Sequence, residues 1–173
     1  QDWETENSYT LFDQWGGVVF SDGPSPGTGA VFTGVVVCGV EPDPGTVPCT
    51  ALPIDTIDCV TVDNSGIVGT GIAPGCAEYA GGDVWFSMPV PASGNVNVST
   101  ANNGGLNDTG IALWTGTGCF DLTNRGCDDD SGPDYLSSIS GFELPQDETL
   151  FIQVFGYGGG AGAFDLCVAD LGT

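Results

Sequence analysis

The densest group of reactive side chains is Cys127-Asp-Asp-Asp-Ser-Gly-Pro-Asp134, which holds Asp128, Asp129, Asp130 and Asp134 in one short loop. Hard cations such as calcium take ~6–8 oxygen ligands, preferably several from one compact loop. Asn107 and Asp108 lie in another turn, and Asp83 opens a strand-like run. On a β-sandwich these residues can gather at one end, so the candidate calcium ligands are Asp83, Asn107, Asp108, Asp128, Asp129, Asp130 and Asp134. The spacing is not that of an EF-hand, because the glycine is misplaced and no glutamate closes the loop. Two readings of the loop stand: a calcium site, or a solvated turn in an acidic chain. The first has the argument that neighbouring carboxylates repel one another without a counter-ion.

Other chemistry is excluded by composition. The chain has no histidine, and Arg125 is its one basic residue among 23 acidic ones. Ser-His-Asp and Cys-His sites need histidine, and Schiff-base or general-base lysines need lysine. A two-carboxylate glycosidase is formally open, but no pair is singled out. The expectation is therefore a chain that is not an enzyme. A formal net charge of -22 excludes nucleic acid, which requires a basic surface, and disfavours anionic membrane surfaces. It suits metal cations or a saline setting.

Seven cysteines occur, at Cys38, Cys49, Cys59, Cys76, Cys119, Cys127 and Cys167, with no CxxC pair. Disulfides in an oxidising compartment follow. Cys119 and Cys127 bracket a short loop, which predicts that they pair; Cys49 with Cys59 and Cys76 with Cys167 are the next candidates. Connectivity is not derivable from sequence alone. Cys38 is then left over, as an intermolecular bridge or as a buried free thiol behind Val35-Val36-Val37. The polar start, Gln1-Asp2-Trp3-Glu4, together with the disulfides, predicts an extracellular or cell-surface chain whose export signal has been removed. No apolar run approaches the ~18 residues of a membrane span.

The elements that must carry these residues are strands. Twenty-nine glycines and eleven prolines divide the chain into short runs rich in Val, Ile, Thr and aromatic residues, the pattern of a sandwich or barrel. Period-2 alternation assigns inner faces. Val84, Phe86, Met88 and Val90 form one, and Val96 and Val98 another. Leu150, Ile152 and Val154 form a third, and Phe164, Leu166 and Val168 a fourth. Trp85, Trp114, Phe155 and Tyr157 fall opposite those faces, where they are candidates for stacking against a glycan. Asn97-Val-Ser99 and Asn107-Asp-Thr109 are sequons, and Asp55-Thr56-Ile57 fits a short O-glycan acceptor pattern, making Asn97, Asn107 and Thr56 candidate glycosylation positions.

From Ala73 to Gly94 the sequence Ala-Pro-Gly-Cys-Ala-Glu-Tyr-Ala-Gly-Gly-Asp-Val-Trp-Phe-Ser-Met-Pro-Val-Pro-Ala-Ser-Gly resembles the bacterial pre-peptidase C-terminal domain of secreted proteins. Asp108-Thr-Gly-Ile-Ala-Leu-Trp-Thr-Gly116 looks like that family's central strand. The stretch from Cys119 to Asp130 looks like its cysteine-bracketed loop and acidic turn, and 150–157 and 162–168 like its last strands. The resemblance covers about residues 49–173. It implies a jelly-roll-like antiparallel sandwich that accompanies secreted hydrolases or adhesins, is non-catalytic, and in several relatives binds calcium or an extracellular polymer.

Residues 1–48 fall outside the resemblance. They carry apolar stretches at 9–12 and 18–20, and a second set at 30–37, reading Ala-Val-Phe-Thr-Gly-Val-Val-Val. A complete sandwich has no need of them. They either fold back as a hairpin or add as a strand to the open edge of a neighbouring copy, a head-to-tail contact that builds a filament. The sequence thus predicts an all-β, jelly-roll-like antiparallel sandwich (49–173) with an N-terminal strand extension (1–48). Its expected role is a non-catalytic extracellular structural subunit, stabilised by calcium and self-assembling into a homopolymer. The alternative is a glycan- or protein-binding adhesion module.

Overall fold

The computed structural model describes residues 9–12, 18–22, 42–56, 59–119 and 121–173. Strands β1 (Tyr9–Phe12) and β2 (Val18–Asp22) pair antiparallel with each other, with a register shift between Leu11 and Phe12. The remaining strands form two sheets. One runs β3 (Leu52–Pro53), β5 (Val84–Pro89), β10 (Thr149–Gly156), β7 (Thr109–Gly116), β8 (Thr123–Asp128). The other runs β4 (Cys59–Asp63), β11 (Ala163–Asp170), β6 (Val96–Ala101), β9 (Ser138–Gly141). All pairings are antiparallel except the two-residue contact of β3 with β5. The fold is the expected all-β sandwich.

The alternating runs form the core between the sheets. Val84, Phe86 and Met88 of β5, Leu150, Ile152 and Val154 of β10, and Ile111 and Leu113 of β7 face Val96, Val98, Phe164, Leu166 and Val168. Every one is buried. Register enforces this, because a one-residue slip would turn each apolar set to the other face.

The opposite face of the five-stranded sheet is buried as well. Trp85, Ala112, Trp114 and Phe151 make a second apolar cluster, with Ala51, Ile72, Leu122 and Cys127 packed against it. The long connection between β4 and β5 and the segment 42–51 cover that face. Segment 42–51 joins the sheet directly: the Trp85 amide donates to the Gly45 carbonyl at 2.8 Å.

This covering corrects the expected stacking platform. Trp85 and Phe155 are 0% exposed and Trp114 is 8% exposed, whereas Tyr157 keeps 38%. Trp85 and Trp114 pack on each other at 6.2 Å, and Phe155 meets Tyr79 edge-on at 5.0 Å. Three of the four aromatics are thus roofed by loops and out of a ligand's reach.

The cysteine pairing differs from the expected one. Cys49 pairs with Cys119, Cys59 with Cys167 and Cys76 with Cys127. Cys119 and Cys127 cannot meet, because β8 runs extended between them. Cys59 stands directly opposite Cys167 in the β4–β11 ladder, so a neighbour in space outcompetes a neighbour in sequence. Three disulfides suit an oxidising compartment. Cys38 and segment 30–37 lie outside the described residues. Among the described residues no helix is long and apolar enough to cross a membrane.

Candidate metal centre

The β7–β8 ladder places the acidic residues. Ile111 pairs with Asp128; continued past the strand ends, that register sets Thr109 opposite Asp130 and Asp108 one place further, opposite Ser131. One carboxylate oxygen from each of Asp108, Asp129 and Asp130 lies within 4.8 Å of the others. The loop is fixed from below. The Asp128 carboxylate accepts from the amides of Ser131 at 3.3 Å and Ser138 at 2.8 Å. The Ser137 hydroxyl donates to the Asp129 carbonyl at 2.7 Å and also to the Thr109 carbonyl. Behind Asp108, its carbonyl accepts from the Tyr157 amide at 3.2 Å.

The electrostatics are unfavourable as they stand. Asp108 Oδ1 and Asp129 Oδ1 are buried atoms with no hydrogen-bond donor. Loss of water, and then the Asp130 charge, pushes the Asp108 carboxyl above its ordinary range. Asp129 is pushed up by burial first, then by the charges of Asp130, Asp108, Asp128 and Glu78. Arg125 does not relieve this. Its Nε donates to Thr115 Oγ1 at 2.7 Å and its other end pairs with Glu148 at 3.5 Å. Converging carboxylate oxygens without donors or a basic neighbour are a donor set of the kind hard cations take, and a cation there would relieve both raised carboxyls.

Glu78 belongs to the same neighbourhood, and sequence reasoning missed it. It sits two residues after Cys76, whose bond to Cys127 ties the β4–β5 connection to the end of β8. The signal was that cysteine, but only with its partner known. The Tyr157 phenol is pushed above its ordinary range by loss of water first, and then by the Glu78, Asp129 and Asp108 carboxylates, so Glu78 and Tyr157 border the acidic group.

The other expected ligands stand apart. Asp134 is exposed, in a turn at Pro133–Tyr135 with φ 54°, and Asn107 is exposed beside Asp108. Asp83 is a correction. It is fully buried, and its oxygens accept from the Thr70 amide (2.9 Å), Thr70 Oγ1 (2.6 Å), Tyr79 OH (2.6 Å), Trp85 Nε1 (2.6 Å) and Gln153 Nε2 (3.1 Å). A carboxylate offers about four lone-pair directions, so these donors leave none for an ion. Burial, and then the Asp83 charge, holds the Tyr79 phenol well above its ordinary range. Gly69, at φ +91°, passes so close that a Cβ there would collide with the Asp83 carboxylate.

The glycosylation candidates also differ in setting. The Asn97 amide donates to Ser138 Oγ, the Ile139 carbonyl and Ser140 Oγ at 3.2–3.4 Å, within the β6–β9 pairing. Thr56 Oγ1 donates to Asp55 at 3.3 Å. Asn107 is exposed. Neither a protein-family model nor a curated protein matches this chain.

Proposed function

We propose that this chain is a non-catalytic, extracellular structural subunit, locked by calcium at Asp108, Asp129 and Asp130 and joined to its neighbours through its N-terminal strands. The observation that carries the reading is the pair of donorless buried oxygens, Asp108 Oδ1 and Asp129 Oδ1, within an acidic group that no basic residue offsets. Calcium there would bridge the start of β7 to the β8–β9 loop. Glu78 adds its charge to the same neighbourhood, where it contributes to the raised Asp129 carboxyl. The resemblance to pre-peptidase C-terminal domains supports the absence of catalysis, and the three disulfides support export to an oxidising space. Calcium also screens the -22 charge that would otherwise hold copies apart.

A ligand that binds only the native state raises its stability as RT ln(1 + [L]/Kd), and extracellular calcium modules bind at about 0.1–1 mM. About 10 mM calcium is therefore expected to add ~1.4–2.7 kcal/mol, an increase in Tm of roughly 3–10 °C over chelator. Scanning calorimetry of the wild type and of Asp129→Asn checks this. The variant is expected to lose most of the calcium shift. No shift in the wild type, or an equal shift in the variant, would remove the metal centre from the account.

A further inference from the structure

Residues 45–50 form a hook over the outer face of the five-stranded sheet. The Gly45 amide donates to the Thr50 carbonyl at 2.6 Å, which closes the neck, and a 3-10 turn at Pro48–Thr50 makes the tip. The neck is fixed at β5, where the Gly45 carbonyl accepts from the Trp85 amide at 2.8 Å. The tip is fixed beyond β7, because Cys49 bonds to Cys119 in the turn that follows that strand. β10 lies between β5 and β7. Neighbouring strands are ~4.8 Å apart, so the crossing is about 10 Å, and residues 46–49 can span it at ~3.3 Å each. Under the hook lies the second apolar cluster, Trp85, Ala112, Trp114 and Phe151, on which Ala51 and Cys119 both pack. Val47 and Pro48 are themselves buried.

The two parts of the roof are held differently. The β4–β5 connection is bolted through Thr70 and Tyr79 to the Asp83 carboxylate, and its Ile72 carbonyl accepts from Gln153 Nε2 at 2.8 Å. Loss of the Cys76–Cys127 bridge leaves those attachments in place. The hook has no such anchor. Among the described residues, the hydrogen bonds of 42–51 run within the segment, apart from the Gly45–Trp85 pair. The Cys59–Cys167 bridge differs again, because its cysteines face each other in the β4–β11 ladder, so opening it frees no loop.

We infer that the hook is a lid and that the Cys49–Cys119 bridge is its thiol-sensitive latch. Reduction frees residues 45–50 to lift away and uncovers the layer of Trp85, Trp114 and Phe151, while the sandwich stays folded. In an oxidising compartment the latch is shut. Both cysteines are half-buried rather than sealed, within reach of a small dithiol. One thiolate of the dithiol attacks a bridge sulfur and forms a mixed disulfide, and the other cysteine leaves as a thiolate. The second sulfur of the dithiol then displaces the first cysteine. The products are two cysteine thiols and one oxidised dithiol.

The test is C49A/C119A in the full-length chain, read by amide hydrogen exchange. The Trp85 and Gly45 amides are expected to exchange about 100-fold faster than in the wild type, with the β7–β10 ladder unchanged. Exchange at Trp85 as slow as in the wild type overturns the inference. Loosening of β7 and β10 in step with Trp85 overturns it too, because the bridge is then a staple of the whole sandwich. C76A/C127A loses one bridge likewise, and its Trp85 amide is expected to stay protected; equal acceleration there contradicts a latch at Cys49. Fluorescence reads the uncovered layer. With Trp3→Phe and Trp15→Phe, the emitters left among the four tryptophans are Trp85 and Trp114. Adding C49A/C119A to that background is expected to red-shift the emission and open it to quenching by acrylamide. Unshifted, unquenched emission overturns the lid.

Discussion

Replacing Asp83 with alanine is expected to destabilise the fold by about 3–5 kcal/mol, a fall in Tm of roughly 6–20 °C. The change deletes the acceptor for the Thr70 amide and hydroxyl, Tyr79 OH, Trp85 Nε1 and Gln153 Nε2. Most of these donors are shut away from water, and each buried polar group left unpaired costs about 1–3 kcal/mol. The loss is structural as well as local. Thr70 and Tyr79 belong to the β4–β5 connection, while Trp85 and Gln153 project from β5 and β10, so Asp83 fastens that connection over the outer aromatic cluster. Asp83→Asn separates the contributions. It keeps the volume and one oxygen but turns an NH2 group toward donors, so about half the loss is expected. Chemical denaturation with tryptophan fluorescence reads both stability and the exposure of Trp85. An asparagine variant as stable as wild type would mean that the carboxylate's second oxygen contributes nothing.

Removing the Cys59–Cys167 bridge with C59A/C167A is expected to cost about 2–5 kcal/mol. The bond spans 108 residues in sequence, and cross-linking so long a loop removes more freedom from the unfolded chain than a short one does; the chain-entropy model gives about 4.7 kcal/mol at this size. It also ties down the edge strand β4, whose pairing among the described residues is to β11 alone. The loss is therefore expected to appear in hydrogen exchange first at residues 59–63, and only later in β7 and β10. Equilibrium unfolding in urea of the double variant measures it. A variant within about 0.5 kcal/mol of wild type would show that the bridge staples two segments already held by their ladder.

The inner faces of β6 and β11 were legible because each alternates apolar with polar or small residues, and those of β5 and β10 because Val84, Phe86 and Met88, and Leu150, Ile152 and Val154, recur at every second position; the core they form is the expected one. The second buried layer was less so, although its trace was present. Residues 110–115 (Gly-Ile-Ala-Leu-Trp-Thr) and 150–155 (Leu-Phe-Ile-Gln-Val-Phe) are nearly continuous in apolar character, which marks strands covered on both faces. Trp85 and Trp114 were therefore roof supports rather than platform residues. Asp83 was a carboxylate among carboxylates in sequence; only the fold brings Thr70, Tyr79, Trp85 and Gln153 to it. The acidic loop was legible in part. Asp108, Asp129 and Asp130 converge because β7 and β8 are register neighbours, whereas Asp134 is one turn too far along and Glu78 enters through a disulfide whose partner the sequence does not name. The cysteine pairs were the least legible feature, since each is set by sheet topology across at least 51 residues.

Electron microscopy of the purified chain in calcium-containing saline, beside the same sample in chelator, tests the structural-subunit reading most directly. Ordered filaments in calcium that thin or disperse in chelator are the predicted result. Dispersed monomers under both conditions would contradict it.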